Sequence, residues 1–247
     1  MFITINGKSC AADYGEYILN IALRNNIEIP TLCHSDVFPG QASCRLCVVE
    51  IIDNTQRKVV TSCVYPVTKE IEVVTDSPKI ISLRKTIIML LLARAPHNQY
   101  LNRLKDRYEA AADSRFASNT SEDCVLCGLC VRACTEMGRS AISTVNRGIT
   151  KKVSTPYDEP AQDCIGCTTC AQVCPTGAIK VHEQDRERSI WNKRFDLLAC
   201  TNCQEHYITR QAYNYINTKL GDTTEQLCSK CKKTLIPKKF KDIYAPY

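Results

Sequence analysis

Hydrophobic and polar residues alternate over positions 2–6, and Asn6-Gly7 is a strong two-residue hairpin signal. The pattern predicts a strand and a tight turn. Glu16 to Asn25 has helical spacing, with Ile18, Leu19, Ala22 and Leu23 on one side, and Pro30 closes the element. Cys47 to Ile52 is β-branched and strand-like, and 59–60 and 71–74 predict further strands. Together these elements predict a small mixed sheet against one helix. Ser77-Pro78 supplies an N-cap and an N1 proline for a helix running to about Ala95, where Pro96 ends it. Residues 98–112 predict a second, scaffold helix with the stripe Leu101, Leu104 and Tyr108. Residues 113–122 are polar and linker-like.

Composition changes this picture through one residue type. The chain has 247 residues, 17 of them cysteine. An odd count cannot pair completely. The start, Met1 to Gly7, lacks the basic and apolar regions of a secretory signal. A reducing, cytoplasmic setting is therefore expected, in which clustered cysteines read as metal ligands rather than disulfides. The most apolar run, 86–95, is too short to span a bilayer, so no direct membrane insertion is expected. The formal charge of +6 ignores bound metals. Three four-thiolate clusters at roughly −2 each would cancel it. The basic balance is thus no nucleic-acid signal, and Lys230, Lys232, Lys233, Lys238, Lys239 and Lys241 read as a solvated tail or docking patch.

The strongest motif is an internal repeat with a period of 40 residues: Asp123 to Cys130 returns as Asp163 to Cys170. Each copy has a further cysteine four positions on, Cys134 and Cys174, so Cys-x2-Cys-x2-Cys-x3-Cys occurs twice, the second time followed by Pro175. In two-cluster ferredoxins three cysteines of such a run hold one cubane and the fourth crosses to the other. That pattern gives Cys124, Cys127, Cys130 and Cys174 to a first [4Fe-4S] cluster. It gives Cys134, Cys164, Cys167 and Cys170 to a second. Zinc sites pair CxxC units and need no third cysteine in each run.

Cys33, Cys44, Cys47 and Cys63 form another set. One CxxC among four cysteines also suits zinc. The small-residue loop Gly40 to Cys47, the mixed-sheet setting and the adjacent dicluster motif favour [2Fe-2S], because backbone must approach inorganic sulfide closely. Cys200, Cys203, Cys228 and Cys231 are two CxxC knuckles that read as a zinc site, with a further iron–sulfur cluster as the rival. Cys10 is left over as a buried thiol of the first hairpin.

Thr31 to His34, Gly40 to Cys47 and Cys63 to Val67 resemble the N-terminal [2Fe-2S] domain of the large peripheral-arm iron–sulfur subunit of complex I. The same module opens many iron-only hydrogenases and the diaphorase small subunit of NAD-linked nickel–iron hydrogenases. The resemblance covers roughly residues 1–182. It implies a β-grasp fold for the first domain and, as partners, a flavin-containing subunit oxidising NAD(P)H and often a thioredoxin-like [2Fe-2S] subunit. Many members also hold a cluster on His-x3-Cys-x2-Cys-x5-Cys after the long helix. Here His97 stands in place, but no cysteine follows until Cys124. That cluster is expected to be lost and His97 to be a packing or hydrogen-bonding residue. No cysteines beyond residue 231 are available for a hydrogen-activating cluster, so hydrogenase activity by this chain alone is not expected.

The expected class is α+β: a β-grasp [2Fe-2S] ferredoxin domain (1–76), a helical connector (77–120), a bacterial-type 2[4Fe-4S] ferredoxin domain (121–183) and a small four-cysteine C-terminal segment (184–247). No G-x-G occurs, so neither flavin nor nicotinamide is expected on this chain. The expected role is a non-catalytic electron-transfer subunit of an NAD(P)H-dependent oxidoreductase, possible forms being electron-bifurcating or hydrogenase-linked. It would relay single electrons between a flavin subunit and ferredoxin or another redox protein. A free-standing polyferredoxin is the alternative, and a redox-sensing regulator a more distant one.

Overall fold

The computed structural model describes residues 1–54, 56–111, 113–116, 122–221 and 224–235. Lys238, Lys239 and Lys241 and half of the predicted linker (117–121) lie outside them. Two compact units interleave along the chain. Unit 1 is Met1–Leu129 with Val173–Ala178, and unit 2 is Cys130–Gln172 with Ile179–Tyr247.

Unit 1 begins with β1 (Phe2–Ile5) and β2 (Lys8–Ala11). Asn6 and Gly7 are both left-handed, with φ of 49° and 81°, as the predicted primed hairpin turn requires. Helix α1 (Ile18–Arg24) follows, then β3 (Val48–Asp53), β4 (Gln56–Thr61) and β5 (Glu72–Val74). The sheet order is β2-β1-β5-β3-β4. Only β1 and β5 pair parallel; the other neighbours are antiparallel. This is the β-grasp arrangement that the resemblance implied. Ile18, Leu19, Ile21 and Ala22 of α1 join Ile3, Ile5, Val49 and Val73 in its core. The expected stripe is corrected at one position: Leu23 is exposed and Ile21 is buried instead. Five positions after Ile18, Leu23 lies about 140° round the helix.

Helix α2 (Pro78–Arg94) is capped by Ser77, whose Oγ accepts from the Ile80 amide at 3.4 Å. Asn98 caps α3 (Gln99–Tyr108) in the same way, accepting from Leu101 at 3.0 Å. Leu101, Leu104 and Tyr108 are buried as expected. The helix stops at Tyr108 rather than 112. Glu109 turns left-handed at φ 50°, and the Ala110 amide bonds back to Lys105. The buried stripe of α2 is Ile80, Arg84, Ile88 and Leu92. Arg84, fully buried, donates to the carbonyls of Leu46 (3.1 Å) and Val48 (2.7 Å), to the Tyr108 hydroxyl (3.1 Å) and to Asp76 (2.7 Å).

Helix α4 (Leu129–Glu136), in unit 2 from Cys130 onward, leads to the hairpin of β6 (Ser143–Val145) and β7 (Lys152–Ser154). The short helix α5 (Thr169–Gln172) comes next. Four strands then form an antiparallel sheet in the order β11-β10-β9-β8: β8 (His182–Gln184), β9 (Glu187–Ile190), β10 (Lys193–Ala199) and β11 (His206–Thr209). Helix α6 (Arg210–Leu220) is capped by Thr209 and ended by left-handed Gly221. Among the described residues no helix is long and apolar enough to cross a membrane.

Candidate metal centres

The antiparallel pair β3–β4 brings Cys47, just before β3, beside Cys63, just after β4. The Ser62 amide donates to the Cys47 carbonyl at 3.0 Å. Cys33 and Cys44 form a second pair, with sulfurs 3.5 Å apart and the Cys44 amide donating to Cys33 Sγ at 3.4 Å. All four are buried. The partner sulfur and burial push the Cys44 and Cys47 thiols up, and the Cys44 thiol holds Cys33 down at about 6. Four such sulfurs cannot all ionise without a cation among them. Two pairs of thiolates fit a binuclear iron centre with one pair to each iron.

Close backbone approach builds this loop. A Cβ on Gly40 would stand 2.0 Å from the Cys63 carbonyl oxygen. Ala42 and Arg45 are left-handed, at φ 54° and 60°. The Arg84 guanidinium holds the carbonyls on either side of Cys47.

Both copies of the repeat have the same backbone. Leu126 and Gly128 are left-handed in the first, and Gly166 and Thr168 at the matching positions of the second. Alternation of this kind turns successive amides toward one point, the nest that receives anionic groups. Leu126 and Thr168 hold it without glycine, which is strain retained at a functional site.

Unit 1 holds Cys124, Cys127 and Cys174. Burial first, then the other two sulfurs among the smaller influences, governs the Cys127 thiol, pushed up to about 11. Arg94 donates to the Cys124 carbonyl at 2.8 Å and to Glu122 at 2.9 Å. The Gln41 amide, from the loop of the first centre, donates to the Cys127 carbonyl. Cys33, Cys44 and Cys127 share one apolar cluster with Leu32, Leu46 and Val125. Cys130 is buried on the first turn of α4.

Unit 2 brings Cys134, Cys164, Cys167 and Cys170 together around one small cavity. Ile165, Ile190 and Trp191 are among its other lining residues. The Ala141 amide donates to Cys134 Sγ at 3.2 Å, and Thr169 Oγ1 to Cys167 Sγ at 3.4 Å. Burial pushes the Cys170 thiol up to about 11. Four sulfurs around a cavity with several inward donors fit a cubane.

The last set has a different scale. The sulfurs of Cys200, Cys203, Cys228 and Cys231 all lie within 4.8 Å of one another. Among the described residues this is the one group of three or more ligands so tight. Tetrahedral zinc with bonds of about 2.3 Å puts its sulfurs about 3.8 Å apart, and Cys203 and Cys228 are 3.7 Å apart. The donor set fits a single ion. Burial opposes ionisation of Cys200, but the amides of Cys228, Cys203 and Asn202 bring its thiol down to about 6. Asn202 donates to Cys231 Sγ at 3.2 Å.

Cys10 is buried on β2 as expected. His97 is exposed on the turn between α2 and α3, so the expected packing role does not hold. Sequence reasoning missed Arg84, Gln41, Trp191 and Arg188. Of these only Arg84 carries a clear signal, a lone charge on the apolar stripe of α2.

Residues 2–78 match the 2Fe-2S iron-sulfur cluster binding domain family. Residues 117–181 and 163–206 each match a 4Fe-4S dicluster domain family. The chain is 32% identical over 212 residues to the NADP-reducing hydrogenase subunit HndD of Solidesulfovibrio fructosivorans, covering 73% of this chain and 36% of that protein. It is 29% identical over 227 residues to an NADH-quinone oxidoreductase subunit of Rhizobium meliloti, covering 81% of this chain and 26% of that one. The chain thus spans about a third and a quarter of these relatives. A chain in the crystal structure of an NAD+-reducing nickel–iron hydrogenase in its H2-reduced state superposes with a TM-score of 0.61 at 27% identity, covering 72% of this chain and 85% of that one. The ordered pair of iron–sulfur domains, the β-grasp sheet and these relatives agree: the chain belongs to the iron–sulfur family shared by the N-terminal region of the complex I large peripheral-arm subunit, iron-only hydrogenases and diaphorase small subunits.

Proposed function

We propose that this chain is an electron-relay subunit of an NAD(P)H-dependent oxidoreductase. In this reading Cys33, Cys44, Cys47 and Cys63 hold [2Fe-2S]. Cys124, Cys127, Cys130 and Cys174 hold one [4Fe-4S] cluster, and Cys134, Cys164, Cys167 and Cys170 hold the other. Cys200, Cys203, Cys228 and Cys231 hold one zinc ion. The iron–sulfur groups, when bound, supply one-electron chemistry. The chain's own residues exclude water, fix the sulfurs and set the spacing.

The observation that carries the reading is the shared core of unit 1, where Cys33 and Cys44 pack with Cys127. Gln41 of the first loop bonds the carbonyl of Cys127 itself. Two redox groups held by one rigid core suit rapid exchange of electrons between them. The relatives named above, an NADP-reducing hydrogenase and an NADH-quinone oxidoreductase, support a flavin-containing NAD(P)H-oxidising subunit as partner. Ferredoxin or another one-electron protein is the partner proposed at the other end.

Anaerobic iron, sulfide and zinc analysis with low-temperature EPR tests the reading. The expected result is about 10 irons and one zinc per chain. About 14 irons without zinc would overturn the mononuclear reading of the C-terminal site, and about 2 irons would overturn the dicluster. Cys228→Ser should lose the zinc and keep all the iron.

A further inference from the structure

The sheet β8–β11 has a relation to the second cubane site that no cysteine motif reveals. Arg188 of β9, 7% exposed, donates to the carbonyls of Gly166 (2.8 Å) and Tyr207 (3.2 Å). Lys193 of β10 donates its ammonium protons to the carbonyls of Ala161 (2.8 Å), Gln162 (3.0 Å) and Cys164 (2.8 Å). Gly166 is closed in by Phe195 and Thr209, which would stand 2.9 Å from a Cβ there. The loop carrying Cys164 and Cys167 is therefore cast against this sheet.

Between β9 and β10 lies the two-residue turn Trp191-Asn192. Both residues are left-handed, at φ 53° and 58°. Such a turn favours Asn-Gly, and a bulky aromatic at its first position is an outlier. An outlier maintained in a well-anchored turn points to a function for the side chain it aims. The anchors are Lys193 and the Asn192 amide, which donates to the Asp158 carbonyl at 3.1 Å. The side chain so aimed lines the cavity of the four cysteines, and its indole N–H points to Cys170 Sγ at 3.5 Å.

We propose that Trp191 is a tuning residue of the second cubane: its N–H donates to the Cys170 sulfur and raises the potential of the cluster held there. The inference rests on the assignment of a [4Fe-4S] cluster to Cys134, Cys164, Cys167 and Cys170. A one-electron reduction adds one negative charge to the cluster and its thiolates. A donor to a ligand sulfur stabilises that added charge more than the oxidised state, so the reduced form is favoured. The C-terminal sheet is then part of the redox machinery, in addition to supporting the four-cysteine ion.

The test is an EPR-monitored titration of the whole chain with a low-potential reductant. Trp191→Phe should lower one of the two four-iron midpoint potentials and leave the other in place. The expected change is a threefold to tenfold shift of the reduction equilibrium, about 30–60 mV for one electron. Replacement of Trp191 by benzothienylalanine keeps the bicyclic shape and removes the N–H, and should give the same shift. An unchanged potential in a fully loaded isostere would overturn the proposal, as would loss of the cluster in both variants, which marks a packing role. A wild-type chain with one cubane instead of two would instead remove the site assignment beneath it.

Discussion

Replacing Gly40 with alanine should abolish the two-iron centre, taking the iron content from about 10 to about 8 per chain. The added methyl would lie 2.0 Å from the Cys63 carbonyl oxygen and 2.9 Å from its carbon. Both are backbone atoms, so no rotamer change relieves the clash. Either the Gly40 loop or the Cys63 turn must move by more than an ångström, which separates the Cys33–Cys44 pair from the Cys47–Cys63 pair. The sheet beneath should keep its core of Ile3, Ile5, Val49 and Val73, whose side chains the added methyl does not replace. Iron and sulfide analysis with the two-iron EPR signal checks the result. A variant with a full complement of iron would mean that the loop yields freely, and the close-approach argument would fall.

Arg84→Met should destabilise unit 1 by about 3–5 kcal/mol, because three buried acceptors lose their donor together. They are the carbonyls of Leu46 and Val48 and the Tyr108 hydroxyl. Methionine fills most of the volume, so the effect belongs to the polar groups left unpaired rather than to a cavity. The melting temperature of this unit should fall by roughly 10–15 °C. The two-iron centre should become labile, since the two carbonyls flank Cys47 in the loop. The ion proposed at Cys200, Cys203, Cys228 and Cys231 should be retained, which separates a local effect from general unfolding. Thermal denaturation of wild type and variant, with metal analysis before and after, measures both effects. A loss below about 1 kcal/mol would show that solvent reaches these carbonyls.

The β-grasp sheet and the two long helices are legible in the sequence because their signals are local. Alternation, an Asn-Gly turn, Ser77-Pro78 and a Leu101–Leu104–Tyr108 stripe each act over a few residues. The cysteine sets are legible for the same reason, since a wrapped cluster needs short, fixed spacings. Other features depend on contacts far apart in sequence. Arg84 meets the first loop from 36 and 38 residues away. Trp191 meets Cys170 across 21 residues and Gln41 meets Cys127 across 86. No periodicity encodes such pairs. The C-terminal sheet was open to prediction: Glu187 to Ile190 and Lys193 to Leu197 alternate on either side of a two-residue turn. Spacing alone leaves both zinc and a further cluster open at the C-terminal four cysteines, and the grouping of their sulfurs within 4.8 Å is what supports the single-ion reading.

On the proposed ligand sets, the return of Val173–Ala178 to unit 1 bears on when each centre can close during synthesis. A chain emerging from the ribosome can close its first centre once Cys63 is out, because all four of those ligands precede the long helices. The next centre must wait. Cys124 and Cys127 emerge early, but Cys174 lies beyond the whole second motif. A nascent chain therefore carries a waiting set of open thiols until both motifs have been synthesised. On those ligand sets, metal delivery to both cubane sites is tied to a single late moment, before which neither has all four of its sulfurs.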